Sequence, residues 1–318
     1  MIRKLINDDF LKNNLIFFIG SLLAAALNYL YHPIMGRLMS IEDFGEVQSL
    51  ISLLAQLSVF VGIFSIITTN ITANYDNDRD RDAVISTLRK IAFYISGVLF
   101  LAIIIFSSSL KEFFRFSSVY PFISLAFLLL TGVSFVFRRS FLQGINDFKA
   151  VSWSGVIFSS GKLGFAVLLV YFGWRSLGAI SGLIIAQMLT LVYVYHKTKT
   201  SLNLSRISAN NMISVIKAEY KYALLIFLTT SAITFLYTAD VLMVKHWFSP
   251  SQAGLYSGIA TIARIIFFAT GSISAVLFSA VKIKNGPELN KKILKKALGL
   301  ILFIVGGAWL VFFLFSEL

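Results

Sequence analysis

Two cations, Lys162 and Arg264, stand deep inside apolar runs. An ionisable side chain at bilayer depth costs about 2.5 kcal/mol or more, so each needs a partner or a water-filled cavity. Lys162 lies about twelve residues from the inner end of its run and Arg264 about as far from the outer end of its own, which at 1.5 Å per residue puts both near the midplane. Asn28, Gln56 and Gln187 fall at comparable depth, and Arg37 closes the first run. Together these side chains could line a central cavity that accepts an anionic head group. Alternatively, each cation pairs with a helix-end carbonyl or with Asp240, the one carboxylate well inside an apolar run. Asp240 itself reads as the counter-ion of Arg37 or Arg264, in preference to a titrating group that couples transport to protons or sodium, since a single carboxylate makes a poor relay.

Other chemistry has little to stand on. The chain has no Cys, which excludes disulfides, thiolate metal sites and cysteine nucleophiles. His32, His196 and His246 sit at the edges of apolar runs away from any carboxylate cluster, so no metal is expected. Neither a Walker A pattern nor G-x-S-x-G occurs. No catalytic residue and no cofactor is assigned, and the protein is not expected to be an enzyme.

The elements that must position these residues follow from composition. With 57% hydrophobic residues, 14% charged residues and a mean hydropathy of +0.82, the chain has too few charges to cover a soluble surface of this size and belongs in a bilayer. A hydrocarbon core about 30 Å thick asks for about 20 apolar residues per helix. That template predicts an all-α, polytopic membrane protein with about nine spans, at residues 13–36, 47–73, 88–107, 119–142, 150–172, 176–196, 221–245, 253–280 and 294–315. The apolar run after Lys12 is followed by no small-residue cleavage pattern, so it reads as a retained first span.

Cation placement sets the orientation. With the N-terminus in the cytoplasm, 21 of the 28 Lys and Arg residues fall in inner connections and five (Arg37, Lys111, Arg115, Arg175 and Lys245) in outer ones. The net charge of +13 is therefore a topology signal, and nucleic acid is not an expected partner. Every outer connection is short. The inner segment from Asn285 to Lys296, with Pro287 and Glu288 ahead of Lys pairs four apart, reads as an interfacial helix on the anionic inner leaflet or as a solvated basic linker. Gly178 with Gly182, Gly254 with Gly258, and Gly161 with Gly164 mark close helix packing.

The chain also repeats itself. Gly36-Arg-Leu-Met-Ser-Ile-Glu-Asp-Phe-Gly45 separates the first two spans, and His246-Trp-Phe-Ser-Pro-Ser-Gln-Ala-Gly254 separates two later ones; Ser40 and Gly45 align with Ser249 and Gly254 at one offset. Extended to Glu46, the first copy resembles the turn after the first helix of oligosaccharide flippases, the polysaccharide-transporter branch of the multidrug/oligosaccharidyl-lipid/polysaccharide exporter superfamily. The segment Thr238 to Tyr256 is similar to the opening of that family's second half, where an Asp precedes an apolar run, a Pro-containing turn and Gly-x-Tyr.

The resemblance implies two parallel helical bundles that alternate between inward-open and outward-open states. It implies a six-helix bundle over residues 1–200 and a partial second bundle over 201–318. The implied substrate is an undecaprenyl-pyrophosphate-linked oligosaccharide, moved across the cytoplasmic membrane for surface polysaccharide such as O-antigen or capsule, with other polysaccharide-assembly proteins as partners. Members of that family carry more than nine spans, so a C-terminally truncated second half is expected. A non-transporting fragment, an integral-membrane polymerase or ligase of the same pathway, and a drug or small-molecule exporter of a sister branch are the alternatives.

Overall fold

Apolar composition carries through directly into helix. The computed structural model describes residues 9–75, 77–203, 212–264 and 286–314, and among them there is no strand. The helices are α1 (Asp9–Leu38), α2 (Ile41–Asn74), α3 (Asp78–Ile105), α4 (Ser107–Phe113), α5 (Tyr120–Gly144), α6 (Phe148–Tyr171), α7 (Arg175–Thr198), α8 (Met212–Trp247), α9 (residues 250–264) and α10 (Gly286–Leu314). Eight of them contain stretches long and apolar enough to cross a membrane. The chain is thus an all-α, multi-pass membrane protein. The predicted span 253–280 is described as helix to residue 264, and its remainder lies outside the described residues.

Helix starts obey local chemistry. The hydroxyl oxygen of Ser40 accepts the Asp43 N–H at 3.1 Å, so α2 begins at Ile41, six residues before its predicted span. Ser249 and Gln252 cap α9 reciprocally: the Gln252 side-chain oxygen accepts from the Ser249 N–H at 3.2 Å, and the Ser249 hydroxyl oxygen accepts from the Gln252 N–H at 3.3 Å. The two copies of the repeated turn are therefore two copies of one helix cap. Asn77 and Asp147 cap α3 and α6 in the same way.

Two predicted boundaries shift for physical reasons. The third span was expected from residue 88, with Arg89 and Lys90 interrupting its start, yet α3 runs unbroken from Asp78. Its first turns bury Arg81 and Asp82 because each is satisfied: Arg81 donates to Asp78, to Asp82 and to the Ser201 carbonyl, and lies 4.9 Å over the Phe141 ring, while Asp82 accepts the Asn203 N–H at 2.9 Å. The basic segment after Gly286 does not lie apart from the last span but continues into it as α10, with Glu288 in the first turn.

Two compact units can be distinguished, Met1–Ser257 and Gly258–Leu318. In the first, α6 packs against α1 and α7, α5 packs against α2, α3 and α7, and α2 packs against α8. Among the described residues four apolar clusters fill these seams, around Phe64, Phe137 and Phe141, around Tyr31, Met35 and Phe44, around Phe114, Phe116 and Phe122, and around Leu142, Val151 and Val194. In the second unit, α10 stacks Trp309 on Phe313, with centroids 5.4 Å apart.

The α6–α7 seam is close in backbone terms. A Cβ on Gly182 would come within 2.5 Å of the Ala166 nitrogen, one on Gly178 within 3.1 Å of the Leu169 carbonyl carbon, and one on Gly161 within 3.1 Å of the Ala186 Cβ. Gly164 and Gly258 face open space, so they do not serve this packing. Gly182→Val should accordingly destabilise the folded protein by about 1–3 kcal/mol and lower its thermal unfolding midpoint in detergent, whereas Gly164→Val should leave that midpoint within error of the parent.

Candidate functional site

Lys162 projects from α6 toward α1 and is 7% exposed. Its Nζ donates to Asn28 Oδ1 at 3.1 Å, and Asn28 Nδ2 donates onward to Ser159 Oγ at 2.8 Å. The ammonium also sits 4.0 Å from the centroid of the Tyr31 ring, over the electron-rich face. No carboxylate lies within ion-pair distance of Lys162 among the described residues. One of its three N–H groups has an acceptor there, so the cation is held in place while most of its hydrogen-bonding capacity is left unused. Asn28 and Lys162, chosen separately by depth, are thus brought together. Ser159, one turn before Lys162 on α6, and Tyr31, one turn after Asn28 on α1, complete the cluster and were not selected by polarity alone.

The remaining candidates divide. Gln187 donates to the Leu128 carbonyl at 3.1 Å and to Thr131 Oγ1 at 2.7 Å, which clamps α7 to α5 inside the first unit. Gln56 donates to Thr238 Oγ1 at 2.9 Å, joining α2 to α8 beside a mainly apolar cavity of about 410 Å³ lined also by Phe60, Phe227, Ser231 and Thr234. Asp240 accepts the Tyr256 hydroxyl at 3.1 Å. Arg37 is exposed in the last turn of α1. Arg264 is the last described residue of α9 and falls in the second unit, whereas Lys162 belongs to the first.

Two charged residues that the sequence reading passed over are among the most deeply buried. Glu46, 4% exposed near the start of α2, accepts the Ser117 N–H at 2.7 Å and the Ser176 hydroxyl at 2.6 Å. Lys245, assigned from sequence to an outer turn, is 1% exposed within α8. Its ammonium has no hydrogen-bond partner among the described residues, lies 5.0 Å from the Phe116 ring centroid, and is within electrostatic reach of Glu46, Asp43 and Glu42. The signal that could have found Glu46 is the Ser40 cap. Starting α2 at residue 41 puts Glu46 inside the span, where a carboxylate demands a partner.

At the opposite ends of α3, α5 and α7, an open polar cavity of about 680 Å³ is lined by Arg81, Asp82, Arg138, Tyr195 and Lys199. Arg138 donates to Thr198 Oγ1 at 2.6 Å and lies 4.6 Å over the Tyr195 ring. Among the described residues, no group of three or more His, Asp or Glu is placed to hold a metal.

A family model described as "Polysaccharide biosynthesis protein" matches residues 10–280. Searches of curated proteins and of solved structures return no match.

The Asn28–Lys162 contact makes a measurable demand on stability. Asn28→Leu strips the buried ammonium of its acceptor and should cost about 1–3 kcal/mol, read as a lower unfolding midpoint in detergent. Adding Lys162→Met to Asn28→Leu should restore most of that loss, because the apolar pair leaves no charge to satisfy.

Proposed function

We infer the function from kinship: the chain belongs to the polysaccharide biosynthesis protein family, and we propose that it is a flippase for a polyprenyl-pyrophosphate-linked oligosaccharide. In this reading it carries the sugar from the inner to the outer leaflet of the cytoplasmic membrane, for surface polysaccharide such as O-antigen or capsule. The observation that carries the proposal is Lys162, a cation near the midplane anchored by a neutral amide and an aromatic face and not by a carboxylate. Such a cation keeps its full attraction for an anion that arrives and leaves, whereas one locked to Asp or Glu would have to break an ion pair each time.

The proposed mechanism is binding and release without covalent chemistry. The pyrophosphate approaches the ammonium, which Asn28 holds on one side and Tyr31 supports from beneath, and the two N–H groups without an acceptor among the described residues turn to its oxygens. Gln56 and Asp240, also in the first unit, remain candidate contacts for sugar or phosphate; Arg264, in the second unit, is a candidate contact in its own right. The polar Gln187 serves the α5–α7 clamp and is not assigned to substrate. Short connections on the outer face favour translocation over polymerisation or ligation, for which a larger external structure would be needed to hold an acceptor glycan. Other polysaccharide-assembly proteins are the proposed partners.

The test is restoration of O-antigen or capsule in a cell lacking its own flippase. The parent chain should restore polysaccharide. Lys162→Met should weaken anion binding by about tenfold to a hundredfold, the worth of one charged hydrogen bond, and reduce surface polysaccharide in step while protein in the membrane stays constant. Lys162→Arg should retain part of the activity. Full polysaccharide from Lys162→Met would remove the lysine from the site.

A further inference from the structure

The open polar cavity at the ends of α3, α5 and α7 takes no part in the site around Lys162. It lies at the face that the cation distribution orients inward, where the start of α3 meets the last turns of α5 and α7. Its volume of about 680 Å³ suits a small ligand or a lipid headgroup. Three cations line it, Arg81, Arg138 and Lys199, against two carboxylates, Asp78 and Asp82.

These charges are not equivalent. Arg81 is consumed by the protein: it pairs with both Asp78 and Asp82 and donates to the Ser201 carbonyl at 3.1 Å, while Asp82 also accepts the Asn203 N–H at 2.9 Å. Arg138 and Lys199 are left with no ion pair among the described residues. Arg138 is nonetheless aimed. Thr198 spends its one hydroxyl proton on the Val194 carbonyl at 2.8 Å, so its oxygen accepts from Arg138 Nη1 at 2.6 Å, and the guanidinium lies 4.6 Å from the centroid of the Tyr195 ring. One of its five N–H donors therefore has an acceptor among the described residues. Arg89 is close enough to repel it. A half-buried guanidinium, fixed in place, under-bonded and next to a second cation, attracts an anion strongly.

A bias of cations toward the inner face does not account for this arrangement. Arg138 stands six residues before the end of α5 at Gly144, about 9 Å inside the helix, and not in a connection. Orientation needs only charge near the membrane surface; it needs neither the threonine acceptor nor the tyrosine ring.

We propose that this cavity is a phosphate-binding site, filled by the headgroup of an anionic phospholipid of the inner leaflet. The Arg138 fork and the Lys199 ammonium take the phosphate oxygens, and the bound lipid ties the inner ends of α5 and α7 together. A lipid is favoured as the source because the cavity opens at the helix ends, at headgroup depth, and because its lining includes the exposed Ile145 and Tyr195, against which a glycerol backbone and upper acyl chain can lie. The site is separate from Lys162, so it does not depend on which substrate the chain carries.

Native mass spectrometry of the full chain in detergent tests this, with dioctanoyl phosphatidylglycerol, dioctanoyl phosphatidylcholine and glycerol phosphate as probes. Phosphatidylglycerol should half-saturate the protein at a concentration about tenfold or more below phosphatidylcholine. Arg138→Gln should raise that concentration about tenfold or more, and Lys199→Gln about fivefold. Lys149→Gln, which removes an exposed inner charge outside the cavity, should leave it within about twofold. The Lys199 side chain is exposed and bonds to nothing among the described residues, so its variant reports binding without loss of fold. A purely structural Arg138 would lower the unfolding midpoint and leave the preference between the two lipids unchanged, which would overturn the site. Equal binding of the two lipids by the parent, or an equal loss from Lys149→Gln, would overturn it too. Glycerol phosphate binding as tightly as phosphatidylglycerol would keep the phosphate site and overturn the lipid as its source.

Discussion

Hydrocarbon offers no hydrogen bonds, and that constraint decides most of what this chain does with its polar side chains. Hydroxyls are satisfied mainly by their own helix. Ser49, Thr72, Thr190, Thr198, Thr238 and Ser257 each donate to the carbonyl four residues back, which removes them from competition for partners elsewhere. Amides and acids cannot close on themselves in this way. Gln187, Gln56, Asn28 and Glu46 therefore reach across to a second helix or connection, and these bonds set the register of α7 on α5, α2 on α8, α1 on α6, and α2 on α7. The apolar clusters give cohesion; the few amides and acids say which turn faces which.

Against that background the two buried lysines stand out because they are only partly served. Lys162 has one acceptor and an aromatic face, while Lys245 has an aromatic face and the field of three carboxylates. Evolution could have silenced either charge by pairing it tightly or by replacing it with Met or Leu at comparable or better stability. A cation kept charged and under-bonded in a low dielectric interacts strongly with whatever anion or water reaches it. For Lys162 the visitor proposed is a pyrophosphate.

Much of the fold was legible because bilayer thickness is a ruler. The first seven predicted spans recur as helices within a few residues, apart from the starts of α2, α3 and α8, and the last predicted span coincides with α10 as far as Leu314. The starts of α2 and α3 moved because charges near them, Glu46 in α2 and Arg81 and Asp82 in α3, have partners elsewhere in the chain. Arg81 and Asp82 are matched by the connection at Ser201 and Asn203, more than a hundred residues away, and no local pattern could announce it. Glu46 is matched by Ser117 and Ser176 in the same manner. Depth alone selected Lys162 and Asn28 together but could not separate them from Gln187, whose bonds stay within the α5–α7 seam. Depth measures the cost of burying a polar group, and only tertiary contacts show what offsets it.

The repeated turn explains why one face of the molecule concentrates so much polarity. A helix N-terminus carries a partial positive charge from its unpaired N–H groups, and the starts of α2 and α9 converge at Gly45 and Gly254. Two such ends in contact repel, and Lys245 adds a full positive charge nearby. Glu42, Asp43 and Glu46 in the first two turns of α2 supply the opposite sign, and their excess is what lets Lys245 be sealed in without a hydrogen bond. The balance is one-sided, because α9 begins Pro250-Ser-Gln252 with no acid in its first turn. The acids of α2 therefore furnish the charge that Lys245 of α8 faces, an attraction that is strong because the seam is dry and its local dielectric low.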